Sequence, residues 1–532
     1  MPSSELPVAG FRRNRSAALL ALCSALCSAL SLAATSAGAE APLSAIDWLS
    51  ESVSTPASAP ATAPPIRDEA PVTANALPDD VTTSVIGAPS PDALGVLSPK
   101  VTGLPEALWG NATLAEARDA IARTRTDSLP ALQGLLMTLL LAESDPPSDA
   151  GSDSSLLLAR IDKLLAMGAL EQAQALMDMV EAPDAALFRR SFDVDLLTGA
   201  EDRGCETMTA TPSLAPTLPA RIFCLARAGD WNAAALTLET ARALGQVTED
   251  EDALLSRFLD PELTESSETL PPPPRMTPLD WRMYEAIGET FPTTTLPLAF
   301  AHAELRDPAG WKAQLDAAER LARVGVIDPN LLAGLYSANK AAASGGVWDR
   351  VAAFQKLDDA LTANDAAAVA RALPIAWSAM ADAELEVVLA DLMADRVSQV
   401  ALAGDAAAIS LRLDLLSSDF ATLGQRHTPA DARESFLLGL AKGDLTGTTP
   451  PDSLARAIAP AFGSPTLSLD MLSLVAEGRT GELILLAIDR ITTGVESDPS
   501  GVTEGLAILQ RLGLSDTARR TALQLMILER RG

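Results

Sequence analysis

Apolar residues recur along most of this chain at the spacing of an α-helix, and short turns interrupt them at intervals of roughly 30 to 40 residues. Each turn carries Gly or Asn, followed five positions later by a small or apolar residue. The pairs are Gly168 with Ala173, Gly229 with Ala234, Asn364 with Val369, Gly404 with Ile409, Gly478 with Leu483 and Gly513 with Ala518. Glycine supplies the left-handed conformation that ends a helix, and the small residue lets the next helix pack closely. The pattern predicts an all-α fold of stacked helix–turn–helix units, an α-solenoid or superhelix.

The clearest unit, residues 221–234, reads RIFCLARAGDWNAA. It resembles the helix–Gly–helix core of tetratricopeptide-like repeats, and similar turns run through most of residues 155–530. The complete motif of that family is not present in any copy, and the spacing is looser than its period of about 34 residues. The resemblance implies a tetratricopeptide-like superhelix with a long binding surface and no chemistry of its own.

The chain as a whole also resembles uncharacterised exported α-proteobacterial proteins that sometimes carry an antifreeze-glycopeptide label. Antifreeze glycopeptides need long Ala-Ala-Thr arrays. Here that tripeptide occurs once, at residues 33–35. The label therefore does not predict the function.

The first 39 residues have the order of a signal peptide. Arg12, Arg13 and Arg15 precede an Ala/Leu/Ser/Cys run over residues 17–34, and Ala-Gly-Ala at 37–39 is a small-residue cleavage site. The alternative is an uncleaved membrane anchor, which the Ser and Ala content of the run disfavours. We expect export, cleavage and a periplasmic protein without stable membrane insertion.

Residues 40–103 are rich in Pro, Ala, Thr and Ser, and proline at this density prevents a continuous helix. We expect a flexible, disordered tether. Its apolar island of Ile46, Trp48 and Leu49 is a candidate docking peptide. The alternatives are a transient local cluster or packing of the tether onto its own domain. The remaining predicted segments are N-terminal helical repeats over 104–263, a Pro-rich linker over 264–277 and C-terminal helical repeats over 278–532.

Composition narrows the class of partner. The chain is 48% hydrophobic and 21% charged, which is typical of a globular protein, and its net charge is −30. Such a surface repels nucleic-acid phosphates and anionic lipid headgroups, so we expect no nucleic acid partner. It attracts cationic partners, although solubility alone also explains an acidic surface.

Cys205 and Cys224 are the cysteines that follow the predicted cleavage site. An exported chain meets an oxidising compartment, so we expect a disulfide between them. The alternative is a pair of buried thiols. Because they do not form a Cys-x-x-Cys motif, we expect no redox role.

The sequence contains no Gly-x-Ser-x-Gly, Gly-x-Gly-x-x-Gly, Gly-Lys-[Ser/Thr] or His-Glu-x-x-His motif. It has two histidines, His302 and His427, and both metal centres and general-base catalysis depend heavily on histidine. We therefore expect no enzyme activity, no catalytic residue, no metal site and no cofactor. Each histidine is expected to be a surface or core residue.

Aromatic residues concentrate in the middle of a chain that is only 4% aromatic. On the concave face of a superhelix they would form a binding groove for peptide or glycan. The alternative, which is the more common role of such residues, is to fill the core where the repeats are irregular. The candidate groove residues are Trp281, Tyr284, Trp311, Tyr336 and Trp348.

These features predict an exported scaffold or adaptor that binds protein or peptide partners in the cell envelope through a helical superhelix, without catalysis. One alternative is a glycan-binding or glycan-processing envelope protein. The other is a structural protein with no discrete ligand.

Overall fold

The computed structural model describes residues 90–151, 154–260, 262–263, 269–306, 308–341, 343 and 345–528. Over these residues the protein is all-α, as predicted, and its only β-type contact is an isolated bridge between Leu97 and Ala142. The described residues all belong to one compact unit. The predicted signal peptide and the predicted docking island of Ile46, Trp48 and Leu49 lie outside the described residues, so both stay predictions.

The described residues in the first part of the chain, up to the helix that follows the proline-rich linker, form a series of α-helices. They are α1 (Pro99–Thr102), α2 (Leu114–Arg123), α3 (Pro130–Leu141), α4 (Ser155–Ala166), α5 (Leu170–Met177), α6 (Ala185–Thr198), α7 (Glu201–Ala210), α8 (Leu218–Arg227), α9 (Trp231–Ala243), α10 (Glu249–Leu259) and α11 (Pro278–Ala286). Short 3-10 helices add Pro91–Ala93 and Pro212–Leu214.

The second part of the chain continues in the same way. Its helices are α12 (Ala301–Glu304), α13 (Trp311–Arg323), α14 (Pro329–Ala338), α15 (Val347–Thr362), α16 (Ala366–Ala381), α17 (Glu386–Val397), α18 (Asp405–Leu416), α19 (Phe420–Leu423), α20 (Ala432–Lys442), α21 (Ser453–Ile458), α22 (Leu469–Ala476), α23 (Thr480–Glu496), α24 (Ser500–Arg511) and α25 (Ser515–Ile527). The 3-10 helices here are Thr293–Thr295, Leu298–Phe300, Gly424–Arg426 and Ala459–Phe462.

Five of the six predicted turns share one hydrogen-bonded geometry. Gly168 has φ = +77°, its N–H donates to Leu165 O at 3.0 Å, and the N–H of Ala169 donates to Leu164 O at 2.9 Å. This is the Schellman arrangement, which satisfies two carbonyl groups at the end of a helix. It recurs at Gly229, Asn364, Gly478 and Gly513. The predicted helix–turn–helix units are therefore present at these five positions.

Gly404 is different, because it precedes α18 whereas α17 already ends at Val397. Its φ of +61° is used at the start of a helix, not at the end of one. Ile409, five positions later, is nevertheless buried, as are the matching residues after the other five turns.

Helices from near the two ends of the described chain pack against each other. Helix α2 contacts α23, and α3 contacts both α23 and α25. The N–H of Gly481 donates to Leu108 O at 2.8 Å, and the N–H of Asn111 donates to Glu477 O at 3.2 Å. We call this contact, between residues 108–133 and residues 477–528, the seam. Because an open solenoid keeps its terminal units apart, the seam makes the path of helix contacts closed rather than open.

Residues 90–103, which composition assigns to the tether, pack into this helical unit. The buried guanidinium of Arg160 donates to the carbonyl oxygens of Leu94 at 2.7 Å, Leu140 at 2.8 Å and Ala142 at 2.8 Å. The carboxylate of Asp92, which is fully buried, accepts from the N–H of Leu157 at 2.7 Å. Proline excludes a continuous helix but permits an extended segment held by side chains. The packed unit therefore includes residues before the boundary at 103.

The predicted linker joins helices that touch each other. Residues 264–268 lie outside the described residues, whereas Pro271 accepts a 2.7 Å hydrogen bond from the hydroxyl of Tyr284 in α11. Helix α10 contacts α11 across the prolines, and the residues on both sides belong to the same compact unit.

The predicted disulfide is present. It joins Cys205 in α7 to Cys224 in α8, with Cα atoms 5.1 Å apart. Among the described residues, no helix combines the length and the hydropathy needed to cross a membrane.

Candidate ligand cavity at the seam

A cavity of about 470 Å³ lies beside the seam, where helices from both ends of the chain meet the middle of the chain. Its walls come from the start of α3, the end of α4, the end of α13, the turn between α16 and α17, and from α21, α23 and α25. Most of the wall is aliphatic. The aliphatic residues of the wall include Leu129, Leu132, Leu298, Ile491, Val495 and Leu525.

Polar contacts join the two sides of the seam beside the cavity. Arg125 donates to both carboxylate oxygens of Asp127, at 2.9 and 2.7 Å, and to both of Glu496, at 2.7 and 2.6 Å. Asp127 and Glu496 both line the cavity. One arginine therefore joins the segment before α3 to the last residue of α23.

These hydrogen bonds favour the charged forms of the two carboxyl groups. Hydrogen bonding from Arg125 lowers the pKa of Asp127 below its ordinary value. It also lowers the pKa of Glu496. This edge of the cavity therefore stays ionic at neutral pH, with both carboxylates engaged by the same guanidinium.

Two buried polar atoms in the cavity wall have no hydrogen-bond partner among the described residues. They are the hydroxyl oxygen of Ser128 and the side-chain carbonyl oxygen of Gln133. Ser128 is 8% exposed and Gln133 is 4% exposed. Buried polar atoms are nearly always satisfied in native proteins, so the packing of this part of the cavity wall leaves two hydrogen-bonding groups unused.

The cavity wall also carries an arginine, Arg323, and a glutamate with a strained backbone, Glu384. Arg323, in the last turn of α13, donates from Nε to Ala383 O at 2.9 Å, and the same atom lies 3.9 Å from a carboxylate oxygen of Glu384. Glu384 has φ = +57°, a conformation that disfavours any residue with a Cβ. Strain of this kind persists where surrounding contacts fix it.

The predicted aromatic groove is mostly core. Trp281, Tyr284 and Tyr336 are buried, at 5%, 5% and 0% exposure. Tyr336 donates to Glu319 Oε1 at 2.6 Å inside the core. Their burial corrects the expectation that all five aromatic residues line an open groove.

Trp311 and Trp348 are half-buried and pack on each other, with ring centroids 5.1 Å apart. The indole N–H of Trp311 donates to Leu335 O at 2.9 Å. Thus the aromatic residues fill the space between irregular helices, which was the alternative interpretation. The described residues that line the seam cavity include no aromatic side chain.

The two histidines lie apart from the cavity wall. His302 is buried with Nε2 2.7 Å from Gly168 O, and burial lowers the pKa of the ring, which favours its neutral form. His427 is half-buried, and its Nε2 lies 2.6 Å from the buried carboxylate of Asp414. Among the described residues, no group of three or more His, Cys, Asp or Glu side chains converges as metal ligands would.

Comparison with protein families, with curated proteins and with solved structures finds no match for this chain.

Ser128, Gln133 and Glu384 line the cavity and were not identified from the sequence. Ser128 and Gln133 are common polar residues near a helix start, and only their burial distinguishes them. Glu384, in contrast, does lie in a recognisable sequence pattern. It follows an apolar helix face and precedes the buried Leu389 by five positions, as Gly does in the predicted turns.

Proposed function

We propose that this protein is an exported, non-catalytic binding protein of the cell envelope, and that its protein or peptide partner inserts an apolar group into the seam cavity. The observation that carries the proposal is the cavity itself, about 470 Å³ of mainly aliphatic wall with two unsatisfied polar atoms. Small-ligand and anchor-residue sites have volumes of roughly 300 to 1,000 Å³ with few polar groups.

The charge of the protein supports the same proposal. With a net charge of −30, the chain attracts cationic partners over long distances. At the cavity, Asp127, Glu384 and Glu496 outnumber Arg323 in the wall. A partner that carries a basic residue next to an apolar anchor complements both features.

The signal-peptide order of residues 1–39 supports export. The disulfide between Cys205 and Cys224 is compatible with an oxidising compartment. Glycan binding is the weaker candidate, because it draws on exposed aromatic rings and three of the five candidate rings are buried.

The test is to fill the cavity and measure partner capture in cells. Val495 lies in the cavity wall at the end of α23 and is 38% exposed, so Val495→Trp places an indole in the cavity with little effect on the core. Val101→Trp is the matched control, because Val101 is 71% exposed in α1 and does not line the cavity. Both variants and the wild type are crosslinked in intact cells and their captured partners are quantified by mass spectrometry.

We expect Val495→Trp to lose the dominant wild-type partner and Val101→Trp to keep it, with both variants exported and folded by circular dichroism. Equal capture by all three proteins would contradict the proposal that the cavity is the binding site.

A further inference from the structure

We propose that the solvent-facing side of helix α9 binds a cationic amphipathic helix of a protein partner. This side, which we call the α9 outer face, consists of Leu236, Thr240, Ala243 and the C-cap residue Leu244. The described residues that line the seam cavity include none from α9 or α10, so the two surfaces are separate. The inference therefore goes beyond the proposed function and does not rest on it.

The α9 outer face has the spacing of a helix-packing stripe, yet it is exposed. Its four residues occupy positions i, i+4, i+7 and i+8, through which a helix normally packs on a neighbour. All four are exposed, and Leu236 and Leu244 keep 69% and 66% of their surface accessible. The inner face of Ala234, Leu238 and Ala241 is buried, and α9 packs against α8 and α10. Helix α9 is thus apolar on two faces, and the described residues cover one of them.

The polar groups of α9 do little to make the outer face polar. The hydroxyl of Thr240 donates to Leu236 O at 2.8 Å, which leaves its methyl group for outside contacts. Glu239 and Arg242 are the charged residues of α9, and they form an ion pair with each other. Arg242 also donates to Asp252 of α10 at 2.6 Å. An exposed helix face usually carries more charge than this, so a bound partner is a better explanation of the face than solvation alone.

The chain around the α9 outer face is acidic, and this charge selects the partner. Residues 230–252 contain six acidic residues, with Arg242 as the one basic residue. Glu249 and Asp250 begin α10 five and six positions after Leu244. Both are exposed and form no ion pair with a described residue. Lysine or arginine beside the apolar stripe of a partner complements these carboxylates, whereas acidic residues are repelled.

A helix is the partner element that fits this surface. The backbone of α9 is hydrogen-bonded within its own helix, so it offers no strand edge to an extended peptide. Ala243 lies between Leu236 and Leu244 on the face, and small residues beside large ones form the grooves and ridges of helix packing. The disulfide ties α8, against which α9 packs, to α7, so the platform is rigid before the partner arrives.

Charge also argues against other occupants of the face. An anionic membrane surface is repelled by the carboxylates of Glu249 and Asp250. A second copy of the chain carries the same acidic residues, so two α9 outer faces repel each other. The candidate docking island of the predicted tether, residues 46–53, contains Asp47 and Glu51 and no basic residue.

Fluorescence anisotropy with synthetic helices tests the proposal on the chain without its predicted signal peptide, residues 40–532. The labelled probe is a peptide of about 18 residues with a leucine stripe and lysine on its other faces. One control peptide replaces every lysine by glutamate, and a second has the composition of the probe in an order without the stripe. We expect the probe to bind roughly tenfold or more tightly than either control.

Leu236→Ser tests the apolar contact, because it removes the exposed side chain without adding charge. It should weaken probe binding about tenfold, which corresponds to losing most of the burial of one leucine. The matched control is Ile375→Ser. Ile375 is 59% exposed in α16, a different helix, so its loss should leave probe affinity unchanged.

Asp250→Asn tests the charge complementarity. It should weaken probe binding about two- to threefold and reduce the dependence of affinity on salt concentration. Asp470→Asn is the matched control, because both aspartates are exposed at the second position of a helix. The control should leave probe affinity unchanged.

Equal affinity for the lysine and glutamate helices, or unchanged affinity in Leu236→Ser, would overturn the proposal. Binding that is lost in Val495→Trp and kept in Leu236→Ser would place the probe in the seam cavity and would also overturn it. The proposed function does not depend on these results, since its own test is partner capture by Val495→Trp.

Three further measurements identify other occupants, and each positive result would overturn the proposal. A wild-type dimer in analytical ultracentrifugation that Leu236→Ser dissociates would assign the face to a second copy. Probe binding that appears only after deletion of residues 40–89 would assign it to the tether. Flotation with phosphatidylcholine vesicles that Leu236→Ser abolishes would assign it to a lipid surface. We expect a monomer, probe binding with and without residues 40–89, and no flotation.

Discussion

The amide N–H of Ala131 donates a 2.9 Å hydrogen bond to the side-chain oxygen of Gln524, 393 residues further along the chain. Ala131 is the second residue of α3, whose N-cap residue, Leu129, has no side-chain acceptor for the free N–H groups of the first turn. Gln524, in the last helix, therefore caps the N-terminus of α3, and residues at this end of α3 line the seam cavity. Closure of the seam depends on a specific polar contact as well as on apolar packing.

Replacing Gln524 with leucine should destabilise the protein by about 1 to 3 kcal/mol, because a buried N–H loses its acceptor while the volume is nearly kept. Gln524→Glu keeps an oxygen acceptor, and the helix N-terminus offsets part of the cost of burying its charge, so its loss should be smaller. Urea unfolding of both variants measures the difference. A larger loss in Gln524→Glu than in Gln524→Leu would contradict this account of the cap.

Glycine at position 481 is needed because the ring of Trp109 lies against it. A Cβ on Gly481 would be 2.9 Å from Cζ3 of the indole, which is buried at 1% exposure. We expect Gly481→Ala to lower the free energy of unfolding by about 1 to 3 kcal/mol, since overpacking outweighs the better helix propensity. Hydrogen exchange at residues 108–111 should become faster.

Gly134 in α3 is the matched control for this substitution. A Cβ there would meet nothing within 4 Å, so Gly134→Ala should stabilise the protein by about 0.5 to 1 kcal/mol. Thermal melting of the two alanine variants compares them directly. A stabilising effect at both positions would mean that Trp109 does not pack on Gly481 in solution.

Glu384 should be replaceable by glycine with a gain in stability. Its φ of +57° costs an L-residue about 1 kcal/mol or more, which glycine does not incur. Its ion pair with Arg323 is 3.9 Å long and half-exposed, so removing it costs little. Glu384→Gly should therefore be about 1 kcal/mol more stable than Glu384→Ala, which removes the same carboxylate but keeps the strain. The same urea midpoint for both variants would contradict this.

Because the pKa of Lys163 is lowered by burial, the free energy of unfolding should increase as the pH rises above 8. Burial lowers its pKa from 10.5 to about 8, although its Nζ donates to Ala122 O at 2.9 Å and to Thr124 O at 2.7 Å. Between these two pKa values the unfolded chain binds more protons than the folded chain, so the free energy of unfolding increases with pH across that window, by up to about 3 kcal/mol.

Urea unfolding of wild type and of Lys163→Met at pH 7.5, 9 and 10 measures this effect. The wild type should gain stability relative to the variant as the pH rises. Parallel pH profiles for the two proteins would show that Lys163 titrates with the same pKa in both states.

The features that the sequence predicted correctly involve residues close together in the chain or a single pair of residues. Turns at Gly168 and Gly229 follow from a helical period, a residue that tolerates positive φ and a small residue on the next helix. The disulfide between Cys205 and Cys224 follows from the expectation of export and from the presence of two cysteines after the predicted cleavage site. Gly245, Gly288 and Gly325 form the same turn geometry but were not predicted, because a polar residue lies five positions later in each case.

The seam could not be predicted in this way. Periodicity describes how a helix packs on its neighbours in the chain, and the contact between Ala131 and Gln524 has no such signature. The cavity depends on that closure, so Ser128 and Gln133 look like ordinary polar residues until both ends of the chain are brought together.

Aromatic content was misleading for a related reason. Burial of Tyr336 against Glu319 depends on three-dimensional packing, and composition alone does not distinguish core from groove.

Closure of the seam is the property on which the cavity and its ligand both depend, and zero-length crosslinking measures it most directly. Arg125→Lys places an amine beside Glu496, to which Arg125 donates at 2.6 Å, and a carbodiimide joins an amine only to a carboxylate in direct contact. The native pair of Lys312 and Asp316 in α13 is the internal control. We predict that the monomer fraction contains a peptide linking residues 125 and 496. Formation of the 312–316 link without the 125–496 link would contradict a closed helical path.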